Sequence, residues 1–299
     1  MIKTEHSNTY ILTADIGGSH ITSAICDIAQ QHIFPETVRR LEFDSRGSAE
    51  SILNSWTACL KSSLGIFEVD LNGVGLAMPG PFDYQEGILY IRGLNKFEAL
   101  YGANIRTELA ERLQLRPELF KFRNDAEATI AGEVICGAGS RYDRVLGVTL
   151  GTGFGSAFYD GSVTRDINLG SEPFMSTIAD DNLSTRWFIK RAFELTGIAV
   201  SGVKELSALA ISNAILRKIF DEFACNMSSF LNNHLTIYQP QALILCGNIA
   251  KASSYFLPEL QSRVAIPVML ATLGESAALQ GLSELFVDRK MPGLVIPSL

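Results

Sequence analysis

The sequence predicts an α/β protein with two similar domains and a ligand-binding cleft between them. Two segments, GSHITSAICD (residues 18–27) and GTGFGSAFYD (residues 151–160), match at a Gly, a Ser, an Ala and an Asp position. Each follows an apolar, β-prone run, and runs with helical apolar spacing separate further β-prone runs along the chain. A duplication about half a chain apart indicates two similar halves, and clefts between domains are preferred ligand sites.

Both copies of the repeat place a glycine-containing turn between two predicted strands. The turn residues are Gly17, Gly18 and Ser19 in the first copy and Gly151, Thr152 and Gly153 in the second. Such turns let backbone N–H groups approach an anion, because glycine has no Cβ in the way. Two such turns facing one another would hold a polyphosphate from two sides. The alternative is that both are ordinary hairpin turns.

The first half continues as alternating strands and helices. QHIFPETV (31–38) is predicted as a third strand after the hairpin. SAESILNSWTACLKSSLG (48–65) and ANIRTELAERLQL (103–115) have the apolar spacing of helices. GVGLAM (73–78) is predicted as a buried strand that Pro79-Gly80-Pro81 ends. LFKF (119–122) is a short strand that leads to Asn124 and Asp125, and AEATIAGEVICG (126–137) is the helix after it.

The second half repeats this order. RVLGVTLGTGFGSAFYDGSVTRD (144–166) is predicted as three strands, QALILCG (241–247) as a buried strand, and the segments 183–197, about 205–236, 253–264 and 275–288 as helices. We therefore expect an N-terminal domain over 1–123, completed by the C-terminal helix in 275–299, and a second domain over 124–274.

Composition excludes several classes of function. The 299 residues suffice for two domains with their own cores. A net charge of −7 and the lack of a Lys/Arg cluster argue against a nucleic-acid surface. No apolar run has the length of a membrane span, and the first residues have no signal-peptide pattern. Five scattered cysteines without a CxxC pair are expected to be buried free thiols in a reducing cytoplasm.

Five blocks, in order, resemble the sugar kinases of the ROK family, within the superfamily of sugar kinases, chaperones and actin ATPases. They are ADIGGSHI (14–21), AMPGPFD (77–83), RNDAEATIAGE (123–133), VTLGTGFGSAFYDG (148–161) and LILCGNIA (243–250). The resemblance implies a duplicated, two-domain ribonuclease H-like (actin/hexokinase-like) fold. It also implies ATP-dependent phosphorylation of a hexose or N-acyl hexosamine at a primary hydroxyl, with ATP and Mg²⁺ as cofactors.

The resemblance assigns the chemistry to a few side chains. It implies that Asp125 is the general base, that Asn124 hydrogen-bonds a sugar hydroxyl, and that Asp15 orients Mg²⁺, directly or through water. One carboxylate that accepts the proton of the attacking hydroxyl suits phosphoryl transfer, in which the protein mainly positions groups and stabilises charge. Two alternatives stay open: Asp125 as the cap of the following helix, and Asp15 as a turn residue that bonds its own backbone.

Further residues of the matching blocks are assigned to ligands in the same way. The glycine turns are implied to bind the nucleotide phosphates, Gly247 and Asn248 to lie against the base and ribose, and Gly80 and Asn95 to line the sugar side. For Gly247 the alternative is a turn required by packing. His20 follows the first turn, where it either contacts phosphate or is structural.

The sequence departs from the family in one element. Many members have a GExxGH-type element followed by a zinc-binding cysteine motif, whereas this chain has no Cys between Cys136 and Cys225. We therefore expect no zinc site. Glu172 takes the place of the sugar-binding Glu, without the companion His; its alternative is a solvated loop residue.

Two other functions remain to be weighed. Family repressors have an N-terminal helix-turn-helix domain, for which we expect no room before the first hairpin. A sugar-binding sensor or regulatory protein without turnover is the second alternative, because the zinc element is missing. The expected partners are a sugar and ATP, with no nucleic acid or membrane, and a homodimer is an expectation from the family.

Overall fold

The computed structural model describes residues 9–66 and 70–287. Contact density divides the chain into a first unit, Met1–Ile135 with Glu275–Leu299, and a second unit, Cys136–Gly274. The boundary lies one helix after the expected limit at residue 123. Part of the expected C-terminal helix, residues 288–299, lies outside the described residues.

The described residues of the first unit form a mixed sheet and a small hairpin, with helices on the sheet. The strands are β1 (Tyr10–Ile16), β2 (His20–Asp27), β3 (His32–Ile33), β4 (Arg39–Glu42), β5 (Gly73–Met78), β6 (Phe82–Asp83), β7 (Ile88–Leu89) and β8 (Phe120–Asn124). The helices are α1 (Ala49–Leu64), α2 (Ile105–Leu113) and α3 (Asp125–Cys136).

The described residues of the second unit form a second mixed sheet, a hairpin and a helical layer. The strands are β9 (Val145–Leu150), β10 (Phe154–Tyr159), β11 (Thr164–Asp166), β12 (Pro173–Phe174), β13 (Thr177–Ile178), β14 (Ala242–Cys246) and β15 (Val268–Leu270). The helices are α4 (Ala179–Asn182), α5 (Thr185–Thr196), α6 (Val203–Leu209), α7 (Ala214–Tyr238) and α8 (Leu257–Arg263); α9 (Ser276–Gly281) returns to the first unit.

The two main sheets have the same topology. Their orders are β3-β2-β1-β5-β8 and β11-β10-β9-β14-β15. In each, an antiparallel hairpin pairs through its first strand with two parallel strands. This repetition confirms the predicted fold class, a duplicated α/β protein.

The aspartates that match in the repeat have the same local structure. Asp27 accepts hydrogen bonds from the N–H groups of Ala29 and Gln30, at 2.9 and 3.1 Å. Asp160 accepts from Ser162 and Val163, at 2.9 and 3.0 Å. Each carboxylate thus closes the turn that ends its hairpin, which explains why both copies end in Asp.

The predicted third strand, QHIFPETV, is mostly wrong. Only His32–Ile33 is a strand, because Pro35 begins a short 3₁₀ helix, Pro35–Thr37. A strand missed by the sequence analysis, β4, follows and pairs antiparallel with the start of β2, where His20 is opposite Glu42. Its sequence RRLE has no apolar alternation, as is common for an exposed edge strand.

Helix α9 packs very closely on α3 through two glycines. A Cβ built on Gly132 would lie 1.9 Å from the carbonyl oxygen of Ala277, and one on Gly281 would lie 1.9 Å from that of Ala128. Glycine is therefore required at both positions if the helices are to approach this closely. After Gly281 the predicted closing helix continues as a 3₁₀ segment, Leu282–Phe286.

A buried ion pair fixes β8 to the same C-terminal segment. Arg123 donates to the carbonyl oxygen of Gly281 at 3.0 Å, and its Nη2 is 2.8 Å from an Oε of Glu284. Both side chains are almost fully buried. Arg123 also pairs with Glu127 of α3, with Nε and Oε1 3.0 Å apart, so one buried guanidinium joins β8, α3 and the C-terminal segment.

The second unit is held by an aromatic core under its helices. Phe188 of α5 lies 4.6 Å from Phe223 of α7, measured between ring centroids, and Phe223 contacts Phe256 edge-on at 5.2 Å. Among the residues that the structure describes, no helix combines the length and the apolar character needed to cross a membrane.

Candidate functional site

The carboxyl ends of three parallel strands meet at one edge of the first sheet. Asp15 of β1 is paired with Ala77 of β5, and Ala77 with Arg123 of β8. Asn124 ends β8 and Asp125 begins α3, one and two residues beyond that register. Such an edge is where open α/β sheets bind ligands. The structure therefore brings Asp15 and Asp125, predicted from separate blocks, to the same edge.

The two carboxylates influence each other electrostatically. Burial, followed by the negative charge of Asp125, raises the pKa of Asp15 to about 7. Arg40 of β4 acts in the opposite direction, and Glu275 raises that pKa further. Arg40 also forms an ion pair with Glu275, with Nη1 and Oε2 2.9 Å apart. An ionised Asp15 therefore lacks enough compensating positive charge, as is expected of a site that receives a cation.

The first glycine turn presents backbone N–H groups next to Asp15. The N–H of Gly17 donates to the carbonyl oxygen of His20 at 2.9 Å and closes the turn. Within residues 9–66 and 70–287, the N–H groups of Gly18 and Ser19 have no hydrogen-bond acceptor. Two adjacent unpaired N–H donors at a turn form an anion-binding concavity.

His20 is neutral at this turn near pH 7. Burial and the positive charge of Arg40 lower the pKa of its imidazole. Its Nδ1 is 3.3 Å from the hydroxyl of Ser19. These contacts favour the structural role among the two roles that the sequence left open.

Asn124, and not Asp125, caps helix α3 in the usual way. Its Oδ1 accepts from the N–H groups of Ala126 and Glu127, at 2.9 and 3.2 Å. Asp125 Oδ1 accepts from the N–H of Ala126, its immediate neighbour, at 2.8 Å. The capping role weighed for Asp125 is thus carried mainly by its neighbour.

The amide of Asn124 is oriented by Tyr84. Asn124 Nδ2 donates to the Tyr84 hydroxyl at 3.1 Å, and that hydroxyl donates to the carbonyl oxygen of Met78 at 3.1 Å. A Cβ on Gly80 would lie 3.5 Å from the same hydroxyl. Tyr84 therefore links two of the predicted sugar-side residues, Gly80 and Asn124.

Asn95 lies on a loop with an unusual backbone. Asn95 and Phe97 both have positive φ angles, 54° and 58°. The Phe97 ring is fully buried against Trp56, with ring centroids 5.5 Å apart, whereas Asn95 is exposed. Left-handed non-glycine residues are costly and indicate a loop held in place by its surroundings.

The second glycine turn has its own set of donors. The N–H of Gly151 donates to the carbonyl oxygen of Gly153 at 3.0 Å. In the part of the chain that is described, the N–H groups of Thr152 and Gly153 have no hydrogen-bond acceptor. Thr185, at the start of α5, donates through its N–H and its hydroxyl to the carbonyl oxygen of Gly151, at 2.8 Å each. Asp180 accepts from the N–H of Phe154 at 2.5 Å.

A hollow of about 600 Å³ adjoins this turn in the second unit. Its lining includes Thr185, Gly202, Lys204, Asn248 and Lys251. Thr185 belongs to the hollow and also holds the second turn, so the two features are continuous. The predicted nucleotide residue Asn248 lies at this hollow, two residues after the end of β14.

Gly247 is required by its conformation and its neighbours. Its φ is +90°, and a Cβ there would lie 2.4 Å from the carbonyl oxygen of Leu150. Leu150 is the last residue of β9, immediately before the second turn. The packing alternative for Gly247 is thus supported, and the same packing places β14 against the base of the turn.

Glu172 is exposed and lies after β11 in the second unit. Burial lowers the pKa of His234 on α7, and the carboxylate of Glu172 partly offsets that effect. Burial and Glu172 together raise the pKa of Tyr238, one turn further along α7. A histidine from a distant part of the chain is therefore within electrostatic range of Glu172.

The sequence analysis missed several residues at these sites. Arg40, Tyr84, Lys96 and Thr185 lie outside the matched motifs or had no periodic signal. The stem of Lys96 is near the first turn, with its Cδ 3.8 Å from the position of a Cβ on Gly18. Contacts of this kind join segments far apart in sequence, so no local pattern could reveal them.

The family model described as ROK family matches residues 11–165. The chain is 21% identical to the xylose repressor of Bacillus subtilis, over 93% of this chain and 77% of that protein. It is 24% identical to a glucokinase of Halalkalibacterium halodurans, over 92% and 94%. Relatives of this chain thus include both a kinase and a repressor.

Solved structures show the same fold. A ROK hexokinase from Thermus thermophilus superimposes with a TM-score of 0.75 at 19% identity, covering 92% of this chain and 97% of that one. A ROK family glucokinase from Streptomyces griseus, solved in complex with glucose and AMPPNP, superimposes with a TM-score of 0.72 at 20% identity, covering 92% and 98%.

Proposed function

We propose, because this chain belongs to the ROK family, that it transfers a phosphoryl group from ATP to a primary hydroxyl of a hexose or N-acyl hexosamine. The observation that carries the proposal is that the carboxylates of Asp15 and Asp125 lie at the same sheet edge, beside a turn with unpaired N–H groups. A carboxylate pair of this kind separates two tasks, cation binding and proton transfer.

Asp125 is proposed as the general base. Its carboxylate accepts the proton of the sugar hydroxyl while the hydroxyl oxygen attacks the γ-phosphorus of ATP and ADP leaves with the bond electrons. Because Asn124 caps α3, Asp125 is held at the helix start without serving as the main cap. The positive end of that helix favours the ionised, basic form of the carboxylate.

Asp15 fits the requirements of a magnesium ligand. Mg²⁺ is commonly held by one or two carboxylates together with substrate phosphates and water, and no group of three or more metal-binding side chains occurs among the residues described. When bound, Mg²⁺ would neutralise phosphate charge. The raised pKa of Asp15 indicates a carboxylate that a nearby cation would stabilise.

The second unit is proposed to bind the nucleotide. The hollow that contains Asn248 and Lys204 would take the nucleoside, and the N–H groups of Thr152 and Gly153 would bind its phosphates. Thr185 supports this arrangement, because it fixes the turn and lines the hollow. In the first unit, the N–H groups of Gly18 and Ser19 would bind phosphate as well.

Besides Asp125, four side chains or backbone positions are proposed for the sugar. Asn124 and Gly80 adjoin Tyr84 in the first unit, and Asn95 lies on the loop that Phe97 anchors. Glu172 of the second unit is the fourth, as proposed from its position in the family pattern. A homodimer and a cytoplasmic location stay predictions.

A sugar-binding regulator without turnover is the second candidate. The similarity to the xylose repressor, over 93% of this chain, favours it, as does the missing companion His of Glu172. Such a protein would bind sugar without needing Asp125 as a base.

A coupled assay that follows ADP release with ATP, Mg²⁺ and a panel of hexoses and N-acyl hexosamines separates the two. We expect ADP release with at least one sugar, well above the rate without sugar. Thermal stabilisation by a sugar with no ADP release would favour the regulator. The same panel is also measured with Asp15→Asn as an internal comparison. Because this variant lacks the proposed Mg²⁺ ligand, we expect it to need a higher Mg²⁺ concentration for half-maximal activity.

A further inference from the structure

We propose that Lys96 is a phosphate-binding residue of the first glycine turn. The inference deepens the proposed kinase function and rests on it, because it assigns a cation to the phosphoryl group that is transferred. Lys96 belongs to none of the blocks that carry the resemblance to the ROK family.

The loop around Lys96 is built to hold this side chain in place. Its neighbours Asn95 and Phe97 both have positive φ angles. Phe97 is fully buried against Trp56, and its N–H donates to the carbonyl oxygen of Ser45 at 2.7 Å. The backbone of Lys96 is held between these two positions, so its side chain leaves the loop in a defined direction. Burial of the Phe97 ring offsets the energetic cost of the left-handed backbone.

That direction brings the side chain of Lys96 to the first turn. Its Cδ is 3.8 Å from the place where a Cβ of Gly18 would be. The Lys96 stem thus lies beside the turn, at the distance of an ordinary van der Waals contact with a methyl group at Gly18. Within residues 9–66 and 70–287, the ammonium group of Lys96 forms no ion pair.

Unpaired donors and an unpaired cation therefore meet at one turn. The N–H groups of Gly18 and Ser19 have no acceptor in the described chain. His20, the other basic residue at the turn, is neutral near pH 7, and Arg46 is paired with Asp44 at 3.5 Å. Lys96 is thus the side chain available to neutralise an anion held by these N–H groups.

The surroundings make such a cation necessary. Glu42 lines the open hollow next to Gly18 and Ser19, together with Asp44 and Arg46, which pair with each other, and the negative charge of Glu42 opposes the approach of a phosphate. In phosphoryl transfer the negative charge spreads over the oxygens of the moving group, where a fixed ammonium stabilises it. The ligand is a phosphoryl group, either the terminal phosphate of the nucleotide or that of the phosphorylated sugar.

The test compares Lys96→Met with Lys96→Arg and with Lys61→Met, a control on the exposed face of α1. We expect Lys96→Met to lower kcat/KM for ATP about 10- to 100-fold, the range of one lost charged hydrogen bond. Lys96→Arg should recover part of the loss, and Lys61→Met should have no effect. A loss confined to the KM for sugar would overturn the proposal.

The kinetics also distinguish the two phosphate sources. A higher KM for ATP would assign Lys96 to the nucleotide phosphate, and a lower kcat with an unchanged KM would assign it to the group in transfer. Weaker inhibition by the sugar phosphate product would assign it to the product. Unchanged values for all three would contradict phosphate binding.

A binding measurement keeps this inference separate from the kinase proposal. Calorimetric titration with inorganic pyrophosphate needs no turnover, and we expect the wild type to bind it and Lys96→Met to bind it about tenfold more weakly. The difference should shrink at high salt, because exposed charges are screened. Equal affinity in the two proteins, or no binding by the wild type, would overturn the role of Lys96 whatever the sugar assay shows.

Discussion

The negative charge of Asp125, at the start of α3, raises the pKa of Asp15, at the end of β1. Residues 110 positions apart in the sequence are thereby coupled at one sheet edge, through the parallel register of β1, β5 and β8. This coupling is the physical basis of the proposed division of labour between a cation-binding and a proton-accepting carboxylate.

We predict that Asp15 makes the protein less stable as the pH rises from about 4 to about 7. Its pKa is raised from the usual 3.8 to about 7, so the folded protein retains a proton that the unfolded chain has released. The free energy of unfolding therefore falls as the pH rises through this window. Urea unfolding of the wild type and of Asp15→Asn, without divalent cations, measures the effect.

The variant should gain stability relative to the wild type between about pH 4 and about pH 7. Asp70→Asn, at an exposed position of the same unit, is the matched control and should follow the wild type. Parallel pH profiles for the wild type and Asp15→Asn would show that the carboxyl titrates normally.

We predict that Tyr84→Phe weakens sugar binding more than ATP binding. The change removes the hydroxyl that accepts from Asn124 Nδ2 and donates to the carbonyl oxygen of Met78, so Asn124 Nδ2 loses this acceptor and the amide is held through its Oδ1 alone. The KM for sugar should rise several-fold, and stability should fall by about 1 kcal/mol. Tyr90→Phe, at an exposed ring of the same segment, should change neither. An equal effect on both KM values would argue against a sugar-side role.

Much of this arrangement was predictable from local sequence. The hairpin turns, the helix that begins after Ser48, and the strand that leads to Asn124 and Asp125 each have a signal within a few residues. Ser48 caps this helix, since its hydroxyl oxygen accepts a hydrogen bond from the N–H of Ser51 at 3.2 Å. The duplication could be detected because few other residue types suit the glycine positions of the turns or the aspartate positions that close them.

The missed features depend on contacts between distant segments. Strand β4 is charged and exposed, so only its pairing with β2 makes it a strand. The Lys96 loop is fixed by Trp56 and Ser45, which belong to other elements. The local sequence does not tell which residue caps α3, because the adjacent Asn124 and Asp125 are both good capping residues.

We predict that Gly132→Ala strongly destabilises the first unit. The added methyl group would lie 1.9 Å from the carbonyl oxygen of Ala277, so α3 and α9 must separate. The cost should be about 2 kcal/mol or more in urea unfolding, as for an overpacked core. Gly65→Ala is the control, because its nearest atom would be at 3.4 Å; its change should stay within about 0.5 kcal/mol. Similar stabilities for the two variants would contradict the close helix packing.

We predict that Gly247→Ala disturbs the second turn as well as the stability of its unit. The position combines a φ of +90° with a Cβ contact of 2.4 Å to Leu150. Gly197→Ala is the matched control, because it has a φ of +70° but no atom within 4 Å of the Cβ. The control should cost about 1 kcal/mol, and Gly247→Ala should cost more and also raise the KM for ATP. Equal losses and an unchanged KM would separate Gly247 from nucleotide binding.

The most direct measurement is the turnover of Asp125→Asn with ATP and the best sugar of the panel. An asparagine Oδ1 can still accept the hydrogen bond from Ala126, so the variant should fold, with a melting temperature near that of the wild type, but it cannot accept the hydroxyl proton. We expect kcat to fall by about 10²- to 10⁴-fold, the usual contribution of a general base. A folded variant that retains most of the wild-type kcat would contradict the account.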